Sequence, residues 1–143
     1  MTAIELLKKD HRKVDDLFAE IENGAGDPTT IFNQIYRELS LHAELEETVF
    51  YPELEQRGET SDKVRHSYKE HQEVRTLLEQ LAAGNPGSEV WLTQLDQLKE
   101  SVQHHVEEEE NELFPKAQQV LGDNRLTEIG QRIEQARQTR QAA

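Results

Sequence analysis

His42-Ala43-Glu44-Leu45-Glu46-Glu47-Thr48-Val49-Phe50-Tyr51-Pro52 aligns without a gap on His105-Val106-Glu107-Glu108-Glu109-Glu110-Asn111-Glu112-Leu113-Phe114-Pro115. Each stretch sets a histidine four residues before a glutamate, doubles that glutamate, and closes on an apolar-aromatic pair and a proline. Upstream, Lys9-Asp10-His11 and Val14 align in the same way on Lys69-Glu70-His71 and Val74, so the two halves are offset by 63 and 60 residues. The chain is two copies of one unit. Internal repetition of this kind makes a pseudo-two-fold structure the first expectation.

The unit is helical. Apolar residues recur at alternating steps of three and four, the spacing of a seam facing a partner helix. In the first helix the seam is Ile4, Leu7, His11, Val14, Phe18 and Ile21; in the third it is Val64, Ser67, His71, Val74, Leu78 and Leu81. The second gives Ile35, Leu39, His42, Glu46 and Val49, and the fourth gives Leu95, Leu98, Val102, His105 and Glu109. Every helix therefore turns a histidine inward. Gly24-Ala25-Gly26 ends the first helix, and Asp27-Pro28 caps and opens a second that reaches Gly58. Thr60-Ser61-Asp62 supplies caps for the third, Gly84 to Gly87 ends it, and Ser88 caps a fourth that runs to Gly122. Asp123 or Asn124 opens a short fifth helix with the stripe Leu126, Ile129 and Ile133, followed by a frayed polar tail from Gln138 to Ala143. The expected fold is all-α: an up-down-up-down four-helix bundle of two repeated hairpins over residues 1–122, with a C-terminal helix and tail over 123–143.

Composition narrows the chemistry. Lys+Arg 16 against Asp+Glu 29 leaves a formal net charge of -13, which repels nucleic acid backbones and anionic membranes. The absence of cysteine excludes disulfides, iron-sulfur clusters and thiol redox chemistry, so a metal must sit on His, Asp or Glu. No stretch has the length and apolar character of a signal peptide or a membrane span, and the expected address is the cytoplasm.

A glutamate four residues after a histidine shares its helix face. One such pair is ordinarily a solvated surface contact. Two pairs on buried seams are another matter, because an unpaired carboxylate resists leaving water and cations resolve the conflict. His42 with Glu46 and His105 with Glu109, joined by His11 and His71, give four imidazoles and two carboxylates for two metal ions. Open coordination positions on such a set suit iron or manganese. His104 with Glu108 is the rival pair, and both seam phase and repeat alignment favour His105. Glu47 and Glu110 are read as exposed helix charge, Tyr51 and Phe114 as core, and His66 as exposed. Pro52 and Pro115 should kink or end their helices.

These residues resemble the hemerythrin-like (HHE cation-binding) domain family over roughly residues 3–122. The resemblance implies a four-helix bundle holding two iron ions in an oxo- or hydroxo-bridged non-haem centre. His11, His42, His71 and His105 would be terminal ligands, and Glu46 and Glu109 would bridge. Oxygen-carrying members place a fifth histidine four residues from the one on the third helix, where this chain has Ser67 and Arg75. The sequence is thus similar to the four-histidine branch, associated with nitric oxide, peroxide and iron-redox chemistry. The implied function is binding or reduction of a small oxidant, with an oxidoreductase acting on peroxide or nitric oxide among the activities. An oxygen sensor or carrier without turnover, and an iron buffer or donor, are the alternatives. A small diatomic ligand or peroxide is the expected partner, with no nucleic acid and no membrane. The resemblance designates no protein partner and no separate catalytic acid or base.

Overall fold

The computed structural model describes residues 1–142, and among them every regular element is a helix. α1 (Ala3–Glu22) starts in a reciprocal capping box between Thr2 and Glu5, and α2 (Pro28–Leu45) is capped by Asp27 with Pro28 in its first turn. A π-helical turn (Glu46–Phe50) carries α2 into α3 (Tyr51–Glu55). α4 (Ser61–Ala83) follows a tight turn in which the Thr60 hydroxyl, expected as a cap, instead donates to the Leu54 carbonyl at 2.6 Å. α5 (Glu89–Glu108), capped by Ser88, passes through a second π-helical turn (Glu109–Leu113) into α6 (Phe114–Ala142).

Two apolar clusters fix how the helices run. One holds Ile4 and Leu7 of α1, Leu45, Val49 and Leu54, Val64 of α4, and Leu113. The other holds Val14 and Phe18, Ile35 and Leu39, Val74 and Leu78, and Leu95 and Leu98. α1 and α4 travel from the first cluster to the second; α2 and α5 travel back. That alternation is the up-down-up-down topology, and it leaves one buried polar layer between the clusters, made of His11, His42, Glu46, His71, His105 and Glu109.

The prolines act where expected but differently in form. Neither helix ends at Pro52 or Pro115; each instead widens by one residue just before its proline. The Tyr51 N–H bonds the Glu46 carbonyl and the Phe114 N–H bonds the Glu109 carbonyl, five residues back rather than four. A proline removes one helical hydrogen bond and clashes with the carbonyl four residues before it, and the wider turn relieves that clash.

The C-terminal helix also departs from expectation. Gly122, at φ 77°, breaks α6, and the portion 123–142 is long rather than short, with Leu126, Ile129 and Ile133 completely buried in the first cluster. Gly130 meets the start of α1 so closely that a Cβ there would lie 2.4 Å from the Met1 carbonyl oxygen. The helix runs past Gln138 to Ala142, with Arg137 pairing with Asp10 at 2.8 Å and Arg140 with Glu44 at 2.9 Å. Ala143 lies outside the described residues. Among the described residues no helix is long and apolar enough to cross a membrane.

Candidate metal centre

All six residues singled out from the sequence converge in the polar layer. His11, His42, Glu46 and Glu109 bring one ligand atom each within 4.8 Å of one another, and Glu46, His71 and His105 do the same beside them. Glu46 belongs to both groups, and Glu109 reaches the second through His105 at 3.5 Å. The two-fold repeat is visible in the distances: His11 Nε2 lies 3.1 Å from Glu109 and His71 Nε2 lies 3.1 Å from Glu46. His105 is 6% exposed, whereas the side chain of its rival His104 is 65% exposed, as the seam phase requires.

A ring of four outer carboxylates went unrecognised in the sequence. His42 Nδ1 meets Asp10 at 2.9 Å and His105 Nδ1 meets Glu70 at 2.7 Å. His11 Nδ1 meets Glu110, and His71 Nδ1 meets Glu47, both at 2.6 Å. Glu47 and Glu110 are therefore not free helix charge. A proton held on each Nδ1 leaves Nε2 to face inward, the tautomer a metal-binding imidazole needs, and carboxylates commonly enforce it. The available signal was the repeat itself, since an acid precedes His11 and His71 and another follows Glu46 and Glu109.

Tyr51 is core, as expected, and is also polar machinery. Its hydroxyl donates to Glu46 at 3.1 Å and to Glu109, and lies 3.4 Å from His71 Nε2. In a regular α-helix residues five apart lie ~140° apart around the axis. The π-helical turn closes that angle and swings Tyr51 onto the Glu46 face. Phe114, its repeat counterpart, stacks on His11 just as Tyr51 stacks on His71. The position lacking the fifth histidine holds Arg75, which braces Glu47 at 3.0 Å.

Electrostatics ties these groups together. Burial alone would lower the His42 pKa, but the charge of Glu46 and the Asp10 carboxylate, which accepts from Nδ1, outweigh it and push it up to about 10. His105 and His71 are raised against the same opposing burial, by Glu109 chiefly for the former and Glu46 for the latter. Burial would raise Glu46, yet His42 and the surrounding hydrogen bonds hold it well below the usual carboxylate range. Tyr51 is driven well above 10 by burial and by the charges of Glu109 and Glu46. Positive charge is thus what the carboxylates require.

The donor set fits a metal site. Among the described residues Glu46 Oε2 and His42 Nε2 are buried without a hydrogen-bond partner, His42 Nε2 standing 3.2 Å from Glu46 Oε1, and both lie inside the cluster. Orphaned buried polar atoms are rare and costly, and lone pairs converging on one point can be satisfied by a cation. Beside the histidines lies a cavity of about 40 Å³, walled by Val14, Leu39, Val74, Leu78, Val102 and Val106.

Comparison with known proteins agrees with this geometry. The sequence model of the hemerythrin HHE cation binding domain matches residues 2–117, and the chain belongs to that family. It is 30% identical over 145 residues to an uncharacterised hemerythrin-like protein of Schizosaccharomyces pombe, covering 96% of this chain and 70% of that one. It is 37% identical over 120 residues to a protein named DNA nickase from a Nostoc species, covering 80% of this chain. The match spans 33% of the Nostoc protein's length. No solved structure matches the chain.

Proposed function

We propose that the protein is a non-haem di-iron protein that binds or reduces a small oxidant: nitric oxide, hydrogen peroxide or oxygen. The observation carrying this reading is the pair of orphaned donor atoms, His42 Nε2 and Glu46 Oε2, within four imidazoles whose Nδ1 atoms are all held by carboxylates. His11 and His42 would hold one ion, His71 and His105 the other, and Glu46 and Glu109 would bridge both. Bound iron would supply a one-electron redox couple at each position and an open place for a small ligand.

The chain's own residues set what can enter. A cavity of about 40 Å³ exceeds the space one water needs and excludes an organic substrate of metabolite size. Its valine and leucine walls favour a neutral, weakly hydrated ligand. The Tyr51 hydroxyl offers a hydrogen-bond donor between the two glutamates on one side, where Phe114 offers none on the other.

Nothing in this reading involves nucleic acid. The Nostoc protein's name belongs to a chain of which this one matches a third, and a net charge of -13 opposes a phosphate backbone. Purified protein should carry two irons per chain and absorb in the near ultraviolet when ferric. Stopped-flow spectra of the reduced protein with each oxidant test the function. Rapid oxidation by nitric oxide or peroxide supports it, and a stable reversible oxygen spectrum points instead to a sensor or carrier. Freely exchanged iron with no reaction would identify a buffer or donor.

A further inference from the structure

Outside the buried layer, two helices build a second set of donors. On α4, His66 and Glu70 are four residues apart; on α5, so are His104 and Glu108. His66 Nε2 lies 3.4 Å from Glu70 and 3.0 Å from Glu108, and His104 Nε2 lies 3.6 Å from Glu70 and 2.9 Å from Glu108. Metal-ligand bonds of 2.0–2.2 Å in a tetrahedron separate neighbouring donors by about 3.4 Å. His66, Glu70 and Glu108 each bring one donor atom within 4.8 Å of the others, and His104 stands beside that group against both glutamates.

Charge gives the cluster a need. Among the described residues neither Glu70 nor Glu108 has a Lys or Arg partner. Their counter-groups here are imidazoles alone. The Glu70 side chain is only 8% exposed, with one oxygen on His105 and the other aimed outward at the two histidines.

The repeat supplies an independent argument. Glu70 aligns on Asp10, which holds His42 from the equivalent place. On that side a cation is already present: the Arg137 guanidinium from α6 sits 2.8 Å from Asp10. Leu6, Leu41 and Leu45 stand where His66, His104 and Glu108 stand in the second half, and α6 packs on that apolar side. Among the described residues no helix covers the second half there, and it has His66, His104 and Glu108 where the first half has three leucines. A cleft of about 270 Å³, lined in part by His66, Ser67 and Glu108, opens the cluster to solvent.

We propose that His66, Glu70, His104 and Glu108 form a surface site for one divalent first-row transition cation. Two imidazoles and two carboxylates are borderline donors that suit Zn2+, Co2+ or Fe2+ and disfavour Ca2+ and Mg2+. The site shares Glu70 with the outer ring of the buried centre but does not depend on what that centre holds.

The test compares the purified protein, with its own metal complement, against the double variant His66→Ala/His104→Ala. Both histidines are exposed, so the fold should survive, and circular dichroism checks it. After equilibration with Zn2+ and gel filtration, the wild type should retain one more zinc per chain than the variant. Titration with Co2+ should give the intense visible bands of a four-coordinate ion in the wild type. The variant should bind this Co2+ at least about 100-fold more weakly, given that loss of an outer contact alone costs 10–100-fold. Equal zinc retention by both proteins, or only the weak spectrum of hydrated Co2+, overturns the proposal. Iron content is read in parallel. Its absence would refute the buried-centre reading, while the difference between the two proteins would still count the surface ion.

Discussion

Replacing Glu47 with Gln keeps the side chain's size and removes its charge. In the structure Glu47 accepts from His71 Nδ1 at 2.6 Å and from Arg75 at 3.0 Å, with its side chain 20% exposed. The short charge-assisted bond to His71 fixes the inward-facing Nε2 and makes the imidazole a better donor. A neutral amide can still accept, so orientation survives in part while the electrostatic contribution is lost. Loss of such a partner typically lowers metal affinity about 10- to 100-fold, which is about 1.4–2.8 kcal/mol. Anaerobic competition between the protein and a ferrous chelator measures this directly. Glu107→Gln serves as the control, because Glu107 lies on the acidic run that holds Glu110, the repeat counterpart of Glu47, and is exposed. By the repeat, Glu110→Gln should weaken iron binding too, though less, since Glu110 is 33% exposed and better screened by solvent. Affinities for Glu47→Gln and Glu107→Gln that agree within about twofold would refute the outer-ring argument.

Glu46→Ala or Glu109→Ala should remove most bound metal, measured by elemental analysis, whereas His104→Ala should leave the buried iron in place. Metal loading should release protons: His42, raised to about 10, is protonated at neutral pH and must give up its Nε2 proton to a metal. Calorimetry in buffers of different ionisation enthalpy should show this release, and identical heats in all buffers would count against it. In metal-stripped protein, a histidine so raised contributes stability that is full below its ordinary value of 6.5 and is lost as pH rises towards about 10. Thermal melts should therefore fall across that window. Gly130→Ala should destabilise the fold by about 1–3 kcal/mol, because its Cβ would strike backbone at the start of α1. Gly58→Ala, with nothing within 4 Å of the added carbon, is the matched control and should change little in the same melts.

The seam pattern was sufficient to place His11, His42, Glu46, His71, His105 and Glu109 in one layer, because helical phase decides which face is buried. It also separated His105 from His104, since a shift of one residue turns a side chain about 100° around the helix. Phase could not disclose the outer carboxylates. Asp10, Glu47, Glu70 and Glu110 lie beside the seam rather than on it, and only the packed bundle shows which histidine each one meets. Pro52 and Pro115 announced a local disturbance without its form, and the form matters, because the added residue brings Tyr51 to the glutamates. The stripe of Leu126, Ile129 and Ile133 is too short to disclose the full C-terminal helix; Gly130 and the contacts of Arg137 and Arg140 add what the stripe lacks.

The two hairpins also exchange their outer carboxylates. Glu47 of the first serves His71 of the second, and Glu110 of the second serves His11 of the first, while Asp10 and Glu70 stay within their own halves. A fragment ending before Ser61 would therefore have one imidazole oriented and one unsupported, and so would its complement. Neither piece is self-sufficient, yet a hairpin paired with a duplicate of itself would meet every requirement. The continuous polypeptide retains the geometry of a two-fold homodimer, with residues 56–60 acting as the tether that makes the partnership permanent.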